Sequence, residues 1–326
     1  MLGDKIKPQM EVSSDATDDQ LNFIKQMGID YVHIIFEDNA TDYDSVMRFV
    51  DRLTAAGLTA TDAGNVNIYK NDKIFLNLPG RDEAIDEYNR FNRVLAKAGI
   101  HIGYMTWEPN RVLTSRFAVG EHTRGSVARI VDLDELKSRP FTHGRMYTNQ
   151  EMWDNFSYWW ERVEPVCEEI DMRIALHPND PPVHDLVGIC NLITSADDYR
   201  HAFEIAHQSP YLGLKMCFGC WLEGGEHFGN LLEDIADSVS HKKVLLVHFR
   251  NVSSTLPKFE ETLLEDGYMN MYDAMSQLVR YDYDGMVYVD HVPRYPDSVG
   301  GTMASFAYST GYMKGLLHAA QRELNA

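Results

Sequence analysis

Two histidines, a cysteine and an aspartate occupy one kind of place in this sequence, the last position of a short apolar run. The runs at residues 172–177, 213–217, 243–248 and 286–290 end in His177, Cys217, His248 and Asp290, and His291 follows directly. Each run precedes a stretch with helical spacing, the alternation that builds a parallel sheet. In a barrel the C-terminal strand ends converge on one axis. Two imidazoles, one thiolate and one carboxylate brought there could ligate a single divalent ion. The thiolate disfavours magnesium and calcium, whereas mixed nitrogen, sulfur and oxygen donors suit zinc, iron, cobalt or, less readily, manganese.

Side chains alternate along a strand. With Asp290 turned toward an ion, His291 therefore stands beside it, where an imidazole of ordinary pKa serves as general acid or base. Arg250, two residues past His248, is the second catalytic candidate. An arginine there either binds a carboxylate or hydroxyl of the substrate or buttresses an acidic ligand. His177 opens His-Pro-Asn-Asp-Pro-Pro, whose three prolines keep the backbone after the run from turning helical early. Cys217 and Cys220 form a C-x-x-C, but there is no second such pair, and Cys217 closes a strand instead of opening a helix. Both points argue against a redox motif or a separate zinc site.

Eight strands are predicted to position these residues, near 9–12, 31–36, 58–62, 100–105, 172–177, 213–217, 243–248 and 286–290. Helical spacing falls between and after them at 18–27, 45–56, 81–98, 149–170, 196–207, 228–239, 269–281 and 306–324. Eight such units close a (β/α)8 TIM barrel, the α/β class expected here as one domain over residues 1–326. In the fourth helix Trp153, Phe156, Trp160 and Val163 form a core-facing stripe. The segment at about 106–148 is too long for an ordinary connection and contains an alternating run at 126–132, so it is expected to cover the barrel mouth.

The formal net charge of -19 excludes nucleic acid and anionic membranes as partners, since both require a basic face. No run approaches the roughly 18 apolar residues of a membrane span, and Met1 to Pro8 shows no apolar leader core. Cysteines at 167, 190, 217 and 220 are too few for a disulfide framework in 326 residues. These features predict a cytoplasmic protein, and a homo-oligomer is compatible with them.

The ordered motifs resemble the mannonate dehydratase family. They are His177-Pro178-Asn179-Asp180-Pro181-Pro182, Ile193-Thr194-Ser195-Ala196-Asp197-Asp198, Cys217-Phe218-Gly219, Val247-His248-Phe249-Arg250-Asn251-Val252, Asp266-Gly267-Tyr268-Met269-Asn270-Met271-Tyr272 and Asp290-His291. The resemblance implies a xylose-isomerase-like barrel and a metal-dependent hydro-lyase acting on a sugar acid or related carbohydrate. His177, Cys217, His248 and Asp290 would be its metal ligands, manganese the usual ion, and His291 the catalytic histidine. An isomerase or epimerase using the same enediolate chemistry is the alternative. The chain departs from the family pattern at Tyr288, Val289 and Val292 around Asp290-His291, at Glu260 and Leu264, at Asn179 and at Cys220. A family tyrosine also lacks a clear counterpart, with Tyr295 and Tyr308 nearby. These departures predict weak turnover of D-mannonate itself.

Overall fold

A computed structural model describes residues 1–326. Eight strands form one sheet: β1 (Lys7–Ser13), β2 (Tyr31–Ile35), β3 (Thr59–Gly64), β4 (Ile102–Thr106), β5 (Arg173–His177), β6 (Leu212–Cys217), β7 (Val244–Phe249) and β8 (Met286–Val289). Eight long helices follow them in turn: α1 (Asp18–Gln26), α2 (Tyr43–Ala55), α3 (Arg81–Lys97), α4 (Asn149–Ile170), α5 (Ala196–Ile205), α6 (Leu231–Ser240), α7 (Met271–Arg280) and α8 (Gly301–Leu324). The sheet order is β3-β2-β1-β8-β7-β6-β5-β4 and every paired neighbour is parallel. The end strands β3 and β4 lie against each other, so closely that a Cβ at Gly64 would meet Tyr104 Cδ2 at 2.6 Å. This is the expected TIM barrel, and every expected strand is present.

Burial explains why the inner strands read as continuous apolar runs. β4, β6, β7 and β8 are buried along their whole length, because helices cover one face and the barrel interior the other. A small cluster of Ile102, Tyr104, Ala175, Leu245, Leu246 and Met286 lies apart from the main core. Outside the sheet, α4 buries Trp153, Phe156, Trp160 and Val163, the stripe expected from spacing, together with Trp159. Its start is fixed by a capping box in which Thr148 and Glu151 satisfy each other's backbone N–H groups.

Two helix starts differ from expectation by more than two residues. α6 begins at Leu231 because the Asn230 side chain accepts from the N–H groups of Leu232 and Glu233. α8 begins five residues early, after Gly300 in the left-handed region at φ 100°, a start that no side-chain cap marks. Cys217 both closes β6 and stands at the N-cap of a short helix, Phe218–Gly224, so it does open a helix.

Within the 106–148 segment, strands Arg116–Val119 and Val127–Asp132 pair antiparallel, and Lys258–Glu260 joins them from beyond β7. Val127 bridges to Arg294, past the end of β8. The segment is thereby tied to the loops after β7 and β8.

Candidate metal centre

The expected ligands arrive from consecutive strands: His177 ends β5, Cys217 ends β6, His248 is the penultimate residue of β7, and Asp290 follows β8. The β6/β7 register sets Cys217 opposite His248. Donor atoms of Cys217, His248 and Asp290 lie within 4.8 Å of one another, with Cys217 Sγ 3.7 Å and His248 Nδ1 3.3 Å from Asp290 Oδ2. His177 stands in a second such group with Cys217 and Cys220, and its ring centroid is 5.0 Å from that of His248. Cys217 is the residue the two groups share.

One nitrogen of each imidazole is engaged by a neighbouring group, which leaves the other for ligation. His177 Nδ1 donates to the Pro178 carbonyl at 2.7 Å, so that nitrogen carries the proton and Nε2 keeps a lone pair. His248 Nε2 hydrogen-bonds the Tyr288 hydroxyl at 2.7 Å, while its buried Nδ1 has no hydrogen-bond partner and faces Asp290. A buried orphan nitrogen beside a thiol and a carboxylate fits a divalent transition metal. Burial alone would raise the Cys217 pKa, but Cys220, Arg250 and the two histidines outweigh it and hold the thiol well below its ordinary value. Asp290 likewise lies well below the usual carboxylate range, because His248, His291 and Arg250 outweigh its desolvation.

His291 is 39% exposed toward the cavity, and its Nδ1 donates to Glu261 Oε1 at 2.8 Å. Its Nε2 lies 3.6 Å from Asp290 Oδ1. Burial would lower its pKa, but Asp290 and Glu261 outweigh that and push it up to about 10.

Arg250 is wholly buried. Its guanidinium meets Asp180 at 2.8 Å, Glu223 at 2.9 Å, Glu261 at 2.7 Å and Asp290 at 3.4 Å. Arg129, brought in by the Val127–Asp132 strand, meets Asp180 at 2.6 Å, Glu261 at 3.2 Å and Glu223 at 3.4 Å. Two cations thus face three shared carboxylates. Glu223 relieves the excess, since burial and then Asp180 raise its pKa well above normal. Asp180 instead falls to about 2, its desolvation outweighed by Arg129 and Arg250. Gly219 makes room for this network, because a Cβ there would overlap the Arg250 guanidinium.

A cavity of about 120 Å³ opens at the site and is lined by His177, Asp180, His248, Asp290 and His291, with Glu11, His33, Lys70 and Lys215. The last four, together with Arg129 and Glu223, carried no signal in the sequence, and Tyr288 was visible only as a departure from the family pattern. Glu223 lies on a short helix with no periodic mark, and Glu11, His33 and Lys215 look like ordinary polar breaks in apolar strands. Asp180 was visible only as part of the proline-rich motif.

The departures from the family pattern fall into different places. Tyr288 orients His248. Asn179 donates to the Trp107 carbonyl and accepts from Ile193 N–H, fixing the loop after β5. Glu260 accepts from the N–H groups of Glu121 and His122. Leu264 is buried, and the Tyr308 hydroxyl donates to Glu265. Neither Tyr295 nor Tyr308 lines the cavity.

Comparison with known proteins bears on this centre. The model of the D-mannonate dehydratase (UxuA) family matches residues 125–326. The mannonate dehydratase of Thermotoga maritima is 28% identical over 284 residues, covering 76% of this chain and 77% of that protein. The crystal structure of mannonate dehydratase from Streptococcus suis serotype 2 superposes with a TM-score of 0.86 at 21% identity, covering 98% of this chain and 96% of that one. A xylose isomerase domain protein from Planctomyces limnophilus has the same fold, with a TM-score of 0.64 at 13% identity over 98% of this chain and 99% of its own.

Proposed function

This chain belongs to the D-mannonate dehydratase family, and on that premise we propose that it is a metal-dependent hydro-lyase that dehydrates a sugar acid to a 2-keto-3-deoxy acid. The observation that carries the reading is the meeting of Cys217 with His248 and Asp290 on one side and His177 on the other, beside His291. His177, Cys217, His248 and Asp290 would hold the ion, with manganese the choice that the family resemblance favours. When bound, the ion supplies positive charge to substrate oxygens as the proton α to the carboxylate departs.

The chain's own residues do the rest. His291, aligned by Glu261, takes the α-proton on Nε2, the nitrogen not engaged by that carboxylate, and returns the same proton to the departing β-hydroxyl. Loss of the β-hydroxyl as water needs a proton delivered to the leaving oxygen, and an imidazolium is the group equipped to give it. Arg250 takes the buttressing role of its two expected ones. Its guanidinium is wholly buried among carboxylates and does not line the cavity, so it holds Asp290, Asp180 and Glu261 in place. The 106–148 segment contributes Arg129 to that network and lines the cavity with Thr106 and Val112.

Elemental analysis of the purified protein combined with a dehydration assay tests the reading. One transition metal per chain and a keto-deoxy product are expected. Activity unaffected by complete metal removal would overturn it.

A further inference from the structure

Among the cations around the cavity, Lys70 pairs with Glu108 at 2.6 Å, and Arg129 and Arg250 are each tied to several carboxylates. Lys215 differs. It is 8% exposed, it lines the cavity, and its Nζ makes neither an ion pair nor a hydrogen bond. The ammonium rests instead over the Tyr104 ring, 4.0 Å from its centroid, with the Tyr288 ring at 5.5 Å.

The position is built. Lys215 precedes Cys217 by two residues on β6, so both side chains point into the barrel, separated by roughly 7 Å along the strand. The register between β6 and β7 slips between Leu214 and Lys215, and the only other slip in the barrel falls at His33 on β2. Such irregularities re-aim side chains next to active sites. Both therefore serve one polar layer beneath the candidate ligands. In that layer His33 Nε2 is buried without a hydrogen-bond partner, and Glu11 Oε2 lies 3.7 Å from it.

Glu11, Asp62 and Asp290 act on this ammonium only from beyond ion-pair distance, and a buried ammonium that no carboxylate touches is costly unless a ligand supplies the anion. We propose that Lys215 receives the carboxylate of an open-chain sugar acid, with Glu11 and His33 taking hydroxyls of the same chain. The inference rests on the dehydratase reading for its substrate class, and it makes Lys215 the group that selects acids over neutral polyols.

Calorimetry on the metal-loaded protein tests this with two matched pairs, D-mannonate against D-mannitol and D-gluconate against D-glucitol. The wild type should bind at least one acid more tightly than its alditol. Lys215→Met should erase that preference by about 10- to 100-fold, the loss of one charged hydrogen bond, while alditol affinity and metal content stay unchanged and Tm does not fall. Lys215→Arg should restore part of it. Three results would overturn the proposal: a wild type without acid preference, an intact preference in Lys215→Met, or equal weakening of acid and alditol, which marks a structural lysine. The dehydratase reading fails separately, if no keto-deoxy acid forms although the acid preference is present.

Discussion

His248 illustrates how one residue's surroundings decide its use. Tyr288 occupies Nε2, which leaves the orphan Nδ1 to face Asp290 and Cys217. Cys217→Ala and His248→Ala are expected to lose the metal, measured by elemental analysis. Tyr288→Phe should keep the fold but weaken metal affinity by roughly 10- to 100-fold, as removal of a ligand's supporting partner does. His291→Asn should retain the metal and lose roughly 10²–10⁴ in kcat, the usual effect of a positioned acid or base. Near-native turnover in that variant would remove His291 from the chemistry. The four candidate ligands were legible because each ends an apolar run. Lys215 and Glu11 were not, because a polar residue inside a strand has the same sequence appearance whether it fills a barrel layer or meets a ligand.

Elements were legible where their periodicity is local. All eight strands and eight helices follow from apolar patterning, whereas the start of α8 lacked a cap signal. The strand Lys258–Glu260 pairs with Val127–Asp132 more than a hundred residues away in sequence, a contact that no local pattern encodes. That pairing and the loop after β5 bring Arg129, Arg250, Asp180 and Glu261 together, so the network is a property of several elements at once. Replacing Arg250 by Met leaves three buried carboxylates to Arg129 alone and should destabilise the fold by about 3–5 kcal/mol in denaturant unfolding. A mere rise in KM at unchanged stability would restore the substrate-anchor role. Asp180, with its pKa lowered from 3.8 to about 2, contributes stability that is fully present above pH 4 and is lost as pH falls toward 2. Asp180→Asn should therefore flatten the acid limb of the stability profile in that window, and an unchanged slope would contradict this electrostatic account.

At the scale of the whole molecule, the barrel brings ligand-type strand ends to one axis, and the family match over residues 125–326 gives that convergence a chemistry. No helix is long and apolar enough to cross a membrane. The candidate centre and its surroundings point in different directions for substrate: the cavity is lined by Lys215 and by neither Tyr295 nor Tyr308. A site built to hydrogen-bond particular groups discriminates strongly among related ligands, so D-mannonate is expected to be a poor substrate beside another sugar acid. The most direct test is mass analysis of products from metal-loaded enzyme incubated with a panel of aldonates that includes D-mannonate. Loss of one water to give a 2-keto-3-deoxy acid from at least one aldonate is predicted, with D-mannonate below about 1 s⁻¹, the lower end of ordinary turnover. Products of unchanged mass, or no product from any aldonate, would contradict the assignment as a sugar-acid dehydratase.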